Sequence, residues 1–316
     1  MKTLKRKQKQ THVPMTGKQR WKQIRKNKFL WVLMILPVLY YAIFCYGPMY
    51  GVLISFKDYK IAKGVWGSPW VGFKWFEKFL IDPYFWKLVR NTLLLNIYGL
   101  IFGFPIPIIL ALMLNEVTHS KFKRVIQTVS YLPHFISTVV VCGMLTNFLS
   151  MDGLINQILS FFGLEKVLFL MYPQYFRTIF TASGIWQSCG WTSIIYLASL
   201  TAVDQEIVEA AMIDGANRWQ RIRNVTLPAI VPTISTMLIM QVGKLMTLGY
   251  EKIILLYNGS TYETADTIAT YVYRRGILNA DYSYSTAVGL FQSVVGVILL
   301  VTANKLSKKI SETGLW

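Results

Sequence analysis

Six long apolar stretches limit what this chain can fold into more than any other feature of its sequence. They cover about residues 29–54, 92–114, 125–148, 178–201, 229–249 and 286–303. A helix needs roughly 20 apolar residues to cross a hydrocarbon core about 30 Å thick, and each stretch comes close to that length. Inside lipid every backbone N–H and C=O must find a partner within the fold, which leaves helices or a closed barrel. Apolar runs this long and continuous read as helices, so the expected fold is an all-α integral membrane bundle of about six transmembrane helices. Charged residues make up only 15% of the chain, against roughly a quarter in a domain that must keep a soluble surface.

The net charge of +18 raises the question of nucleic acid, and the position of the charge answers it. Eleven of the 33 basic residues lie between Lys2 and Lys28, with Trp21 as the one aromatic residue among them. No nucleic-acid module accompanies them. A basic segment directly before an apolar run reads as a cytoplasmic flank drawn to anionic lipid. The same run has the outline of a signal peptide, but Phe29 to Ile54 is too long and no small-residue cleavage pattern closes it, so it is expected to stay as an uncleaved span. Cys45, Cys142 and Cys189 all fall within apolar runs and read as small packing residues.

Orientation follows from the distribution of lysine and arginine. Six spans place both termini on one side together with residues 115–124 and 202–228. These regions hold eleven, three, three and three basic residues, against six, one and three in residues 55–88, 150–176 and 250–285. The expected organisation is a basic cytoplasmic segment over 1–28, a transmembrane domain over 29–303 with a cytoplasmic loop at 204–228, and a cytoplasmic tail over 304–316. Pro37, Pro48, Pro105, Pro107, Pro133 and Pro232 lie inside spans and predict kinks, with freed carbonyls satisfied by neighbouring helices. Residues 154–171 carry Asn156, Gln157, Glu165 and Lys166 among apolar positions. The first half reads as a short interfacial helix with Ile155, Ile158, Leu159 and Phe162 on one side. The tyrosine-rich residues 250–285, with Arg274 and Arg275, read as a solvated outer loop, or as a contact for a partner or a uronic acid. Lys244 and Glu251, seven residues apart, fall on one face if a single helix carries both.

Residues 204–228 contain the sharpest pattern. Glu209-Ala210-Ala211 is followed by three residues and Gly215, then by nine residues and Val225-Thr226-Leu227-Pro228. Asp204 suits the N-cap of a helix whose first turn carries Glu206. Gly215 suits the left-handed turn that ends it. A second helix is expected from about 217 to 224 with Arg218, Arg221 and Arg223 exposed, and Pro228 suits the first turn of the fifth span. The spacing resembles the EAA loop of ABC importer permeases, with Val225 where isoleucine is usual. A chance match of its six fixed positions is on the order of 10⁻⁷ per starting point.

The resemblance implies a type I ABC importer permease fold. It also implies that this loop is the coupling helix gripped by a separate ATPase. It assigns coupling to Glu209, Ala210, Ala211, Asp214, Gly215, Ala216, Arg218, Leu227 and Pro228, with Glu209 facing basic groups of the ATPase and Gly215 setting the bend. No G-x-x-x-x-G-K-[ST] phosphate loop occurs in the chain, so ATP and Mg are expected on two partner ATPase subunits, with no catalytic residue, cofactor or metal here. Further stretches resemble carbohydrate permeases that import alginate, rhamnogalacturonan and similar fragments. These are Tyr131-Leu132-Pro133-His134-Phe135-Ile136-Ser137, Ala287-Val288-Gly289-Leu290-Phe291 and Gly314-Leu315-Trp316. The resemblance implies a second, non-identical permease, a lipid-anchored extracellular binding protein and a bacterial cytoplasmic membrane.

A sugar path needs aromatic faces beside amides and hydroxyls. Trp186, Gln187, Ser188, Trp191 and Thr192 in the fourth span and Gln241 in the fifth supply them. Packing against neighbouring helices accounts equally well for the two tryptophans. His134 is an ionisable group within a span, and it also suits a structural bond to a carbonyl freed by Pro133. An ion-coupled secondary sugar transporter is the alternative, but it calls for acidic pairs at mid-membrane and inverted repeats, and the spans contain almost no Asp or Glu. A membrane enzyme would need a nucleophile, metal cluster or carboxylate pair, which His12, His119 and His134 do not provide.

Overall fold

The computed structural model describes residue 17, residues 25–311 and residues 314–315. The basic stretch ahead of residue 25 and Trp316 therefore lie outside the described residues, apart from Gly17. The chain divides into two compact units, Met1–Leu53 and Ile54–Trp316. In the first, helix α1 (Lys28–Tyr40) carries Pro37 in its interior, widens to π-type turns over Tyr41–Tyr46 and tightens to 3-10 turns from Gly47 onward.

The second unit is built on helices joined by short turns. They are α2 (Lys74–Ile81), α3 (Phe85–Tyr98), α4 (Pro105–Glu116), α5 (Ser120–Tyr131), α6 (Thr138–Phe148), α7 (Leu154–Phe161) and α8 (Pro173–Thr201). They continue with α9 (Gln205–Ile213), α10 (Arg218–Arg221), α11 (Leu227–Gly243), α12 (Tyr250–Leu256), α13 (Ile268–Tyr273) and α14 (Tyr282–Ser311). Among the described residues the only β feature is an isolated bridge between Lys57 and Trp70.

Among the described residues four helical runs are long and apolar enough to cross a membrane: Lys28–Phe56, Phe85–Glu116, Arg218–Gly243 and Tyr282–Lys309. The third span is not the kinked helix its proline predicts. It is a pair, Ser120–Phe135 and Thr138–Phe148, bent by 99°. Pro133 cannot donate to the preceding turn, and Ser137 starts a new helix by accepting from the Val140 N–H. The fourth, α8, has 29 residues and is about 44 Å long. It carries more polar residues than the others because it is the central post, packed against α3, α4, α5 and α11. The sixth span runs on to Ser311, so its helix takes in much of the expected tail.

Helix α7 has eight residues and reaches about 12 Å, too short to cross. Residues 154–171 therefore add no further span, in keeping with a short interfacial helix. Lys244 and Glu251 do not share a helix, because α11 ends at Gly243 and α12 begins at Tyr250.

At one end of α8, the Pro173 end, the chain builds a cap. Trp75 and Phe79 lie one turn apart on α2 and are buried with Phe85, Leu88, Ile268, Tyr271, Tyr284 and Val288. Residues 250–285 are therefore not the solvated loop their tyrosine content suggests. Ile253, Leu256, Ala265 and Ile268 are buried there, and Asp266, Thr267 and Thr270 with them. At the far end of α8 a second core forms from Ile108, Ala111, Leu114, Tyr196, Leu197, Leu200 and Ile230, and residues 204–228 project beyond it.

Candidate functional site

The projecting loop is specified almost entirely by its own sequence. Asp204 accepts from the Glu206 N–H at 3.0 Å, satisfying one of the free donors at the start of α9. At the other end Gly215 has φ +79°, its N–H donates to Met212 O, and the Ala216 N–H donates to Ala211 O. That is a Schellman ending, and it requires a residue at ease in the left-handed region. Asn217 and Gln220 then form a reciprocal capping box at 2.9 and 2.8 Å.

The second helix continues without a stop through π-type turns over Ile222–Thr226 into α11. Pro228 therefore sits in the first turn of α11. Arg221 is not exposed as the pattern suggests. It donates to Ala216 O at 3.1 Å and lies 3.7 Å from the Glu116 carboxylate at the end of α4, which ties the loop to the bundle. Glu209, Ala210, Asp214 and Arg218 are exposed. Ile213 is 87% exposed and Trp219 69%. Large apolar side chains held in the open on a capped turn make this loop a candidate contact surface.

A second feature lies inside the bundle. A cavity of about 270 Å³ opens between α3, the start of α4, α8 and the residues around the end of α11. On α8 its wall is a helical-period stripe: Thr181, Gly184, Ile185, Ser188 and Thr192. Asn96 and Gln241 add amides, and Phe180 and Leu248 add apolar faces. The Thr181 hydroxyl is buried and makes no hydrogen bond among the described residues.

Of the predicted path residues, Gln241 lies on this wall, as do Ser188 and Thr192. Gln187, Trp191 and His134 meet at the bend between α5 and α6. Gln187 donates to Ile136 O at 3.0 Å across the break. Trp191 stacks on His134 with ring centres 4.6 Å apart and planes 2° from parallel. A side chain at Gly190, between them, would overlap the Ser130 carbonyl, so α8 can touch α5 only because this position is glycine. Trp186 is exposed. Thr181, Asn96 and Gly184 were not singled out from the sequence. The 3- and 4-residue spacing of small and hydroxylated residues along α8 was the available signal.

Two carboxylates of the cap are held by partners from the cap itself. Asp266, 2% exposed, receives both guanidinium nitrogens of Arg274 at 2.8 and 2.7 Å and the Thr270 hydroxyl at 2.7 Å. Hydrogen bonding to Asp266 pushes the Arg274 guanidinium above its ordinary range, although burial acts the other way. Asp82 accepts from Tyr271 at 2.8 Å and from Tyr284 at 3.0 Å. Burial raises its pKa, but the Tyr84 N–H, the two phenols and the Arg275 charge outweigh that and hold Asp82 below the usual carboxylate range. Arg274, for which a uronic-acid contact is the alternative to a solvated loop, is thus occupied within the protein.

A family model described as "Binding-protein-dependent transport system inner membrane component" matches residues 103–312. Protein LplB of Bacillus subtilis is 46% identical over 294 residues, covering 93% of this chain and 92% of that protein. The polygalacturonan/rhamnogalacturonan transport system permease protein YteP of Bacillus subtilis is 43% identical over 292 residues, covering 92% and 91%. A crystal structure of a bacterial ABC transporter involved in the import of the acidic polysaccharide alginate matches with TM-score 0.84 and 42% identity, over 92% of this chain and 99% of its counterpart. A bacterial alginate ABC transporter in complex with an alginate pentasaccharide-bound periplasmic protein gives 0.85 and 42%, over 93% and 99%.

Proposed function

Because this chain belongs to the family of binding-protein-dependent transport system inner membrane components, we propose that it carries acidic polysaccharide fragments across the bacterial cytoplasmic membrane. It is the permease subunit of an ABC importer of oligosaccharides, a non-enzymatic membrane subunit with the type I fold, and it works with a solute-binding protein. Family membership also removes the ion-coupled alternative. The uronic character of the cargo rests on relatives of alginate and polygalacturonan systems.

The coupling role rests on one observation. A locally capped loop with Gly215 at φ +79° holds Ile213 and Trp219 in the open beyond the bundle. In this reading the loop lies in the cytosol with both termini, and one of two ATPase subunits, which bind ATP and Mg, grips it. A second, non-identical permease completes the pathway, and a lipid-anchored binding protein docks on the cap. Closure of the ATPases moves the loop as a rigid lever and switches the bundle between outward and inward access. The substrate passes by the cavity lined by Gln241, Ser188 and Thr192, and the bend at His134, Gln187 and Trp191 fixes the position of α6.

The test is a single cysteine replacing Ile213, probed with a membrane-impermeant thiol reagent in whole cells and in inverted vesicles, on a background without the three native cysteines. Labelling in inverted vesicles alone is expected; labelling from outside would end the coupling reading. Mass identification of the glycan that co-purifies with the complete importer then tests the cargo.

A further inference from the structure

Lys252 differs from Arg274 and Arg275, the other cations of residues 250–285. Arg274 has a bidentate carboxylate partner, and Arg275 sits against the Tyr271 and Tyr284 rings beside Asp82. Lys252, on α12, is turned inward. Its ammonium donates to Phe180 O at 3.2 Å and lies 5.0 Å from the centre of the Phe180 ring. It would sit 3.5 Å from a Cβ added at Gly184. Phe180 and Gly184 are both wall residues of the bundle cavity. Among the described residues no carboxylate lies within ion-pair distance of Lys252.

A charge withdrawn from water is costly unless an opposite charge meets it. Here a carbonyl and a ring face meet one side of the ammonium, and one turn of α8 away the buried Thr181 hydroxyl has no partner. The ammonium stands directly behind the wall residues Phe180 and Gly184, and with the buried Thr181 hydroxyl and Asn96, Ser188 and Gln241 along the cavity it matches a sugar that carries a carboxylate among its hydroxyls. A neutral sugar would leave the lysine uncompensated.

We propose that Lys252 is the specificity-determining cation of the permease, forming a charge-assisted hydrogen bond to a uronate carboxylate as the acidic oligosaccharide passes the cavity. The inference rests on the acidic-cargo reading above and deepens it by naming the residue that selects the charge. Gly184 leaves room for the ammonium beside the cavity wall, and Cys142 accounts for the other side of the same turn by lying against Lys252 O.

The test uses the complete importer with its binding protein in proteoliposomes, with trigalacturonide and alginate pentasaccharide as probes. Lys252→Gln keeps an N–H for Phe180 O and loses the charge; Lys252→Arg keeps the charge. Lys252→Gln is expected to lower uptake efficiency, rate over half-saturation, by about 10- to 100-fold. Lys252→Arg is expected to stay within about threefold of the parent. Equal uptake by Lys252→Gln and the parent would overturn the assignment, and so would equal loss in both variants, since either result makes the charge irrelevant. A parent importer that takes up neither uronide would overturn the acidic-cargo reading itself, a result distinct from a variant that fails to discriminate.

Discussion

The loop at residues 204–228 and the cap at the opposite end of α8 both hold irregular chain at the end of a helical bundle, and they do so by opposite means. In the loop the capping bonds join near neighbours, Asp204 to Glu206, Gly215 to Met212 and Asn217 to Gln220, while Arg221 adds a tie to Glu116 of the bundle. Its large apolar side chains are left outside. In the cap the bonds join residues far apart in sequence: Asp82 to Tyr271 and Tyr284, Asn91 to the Glu263 and Asp266 carbonyls, the Tyr59 N–H to Ser283. There the apolar side chains are buried. A segment stabilised from within can keep its surface free for a partner and can move as one body. A segment stabilised by distant contacts has spent its surface on the fold and stays fixed to the spans.

The largest break in this contrast is expected from Asp266→Ala. It leaves the partly buried Arg274 guanidinium without its counterion, and losing one member of a buried pair costs about 3–5 kcal/mol. Unfolding in mixed micelles should show that loss, and a change under 1 kcal/mol would mean the cap is not held by this pair. Ile213→Asp is next and acts in the opposite sense. Folded stability should move by no more than about 0.5 kcal/mol because the side chain is exposed. Binding of the ATPase subunit should weaken by about 2 kcal/mol or more, roughly 30-fold. A titration of labelled ATPase against the purified permease measures this, and unchanged affinity would count against the loop as the docking surface.

The cap should also depend on pH in a stated direction. Asp82 is held below its ordinary range, so its contribution is present at pH above about 4, the unfolded carboxylate value, and is lost as pH falls through the lower folded value. The effect should be about 1 kcal/mol, because Asp82 is only partly buried. Asp82→Asn should flatten the stability curve below pH 4, and an equally steep acid loss in that variant would place the titration elsewhere. The smallest expected effect is Gly215→Ala, about 1 kcal/mol. No atom lies within 4 Å of the added Cβ, so the cost is conformational and local. Faster hydrogen exchange at the Gly215 and Ala216 amides with unchanged global unfolding would be its signature.

Much of the molecule could be read along the chain. The six apolar stretches each fall on helix, the third as a bent pair, and the caps at Asp204, Gly215 and Asn217 stand where their residue types belong, because capping depends on dihedral preferences and bonds between neighbours. The misreadings share a cause. Pro133 predicts a kink, yet whether the helix bends or breaks depends on Gln187 and Trp191 of α8 reaching across to Ile136 and His134. Residues 250–285 look like solvated loop because their tyrosines and arginines are polar-tipped, and only the fold brings Asp82 and α2 over them. Arg221 has the composition of an exposed charge, and Glu116, over a hundred positions earlier, makes it an anchor.

The sequence by itself determined that this chain spans a membrane, roughly where its long apolar helices lie, and that a glycine-ended loop stands between the fourth and fifth of them. Run length, local capping and chirality act over a handful of residues, so no distant information is needed. The tertiary structure alone decided which charges are paired and which face the interior. Asp266 and Arg274 neutralise one another, while Lys252 is left against Phe180 and Gly184 with no counterion among the described residues. The cost or worth of a charge depends on the solvent and partners around it, and those are fixed by helices far apart in the chain.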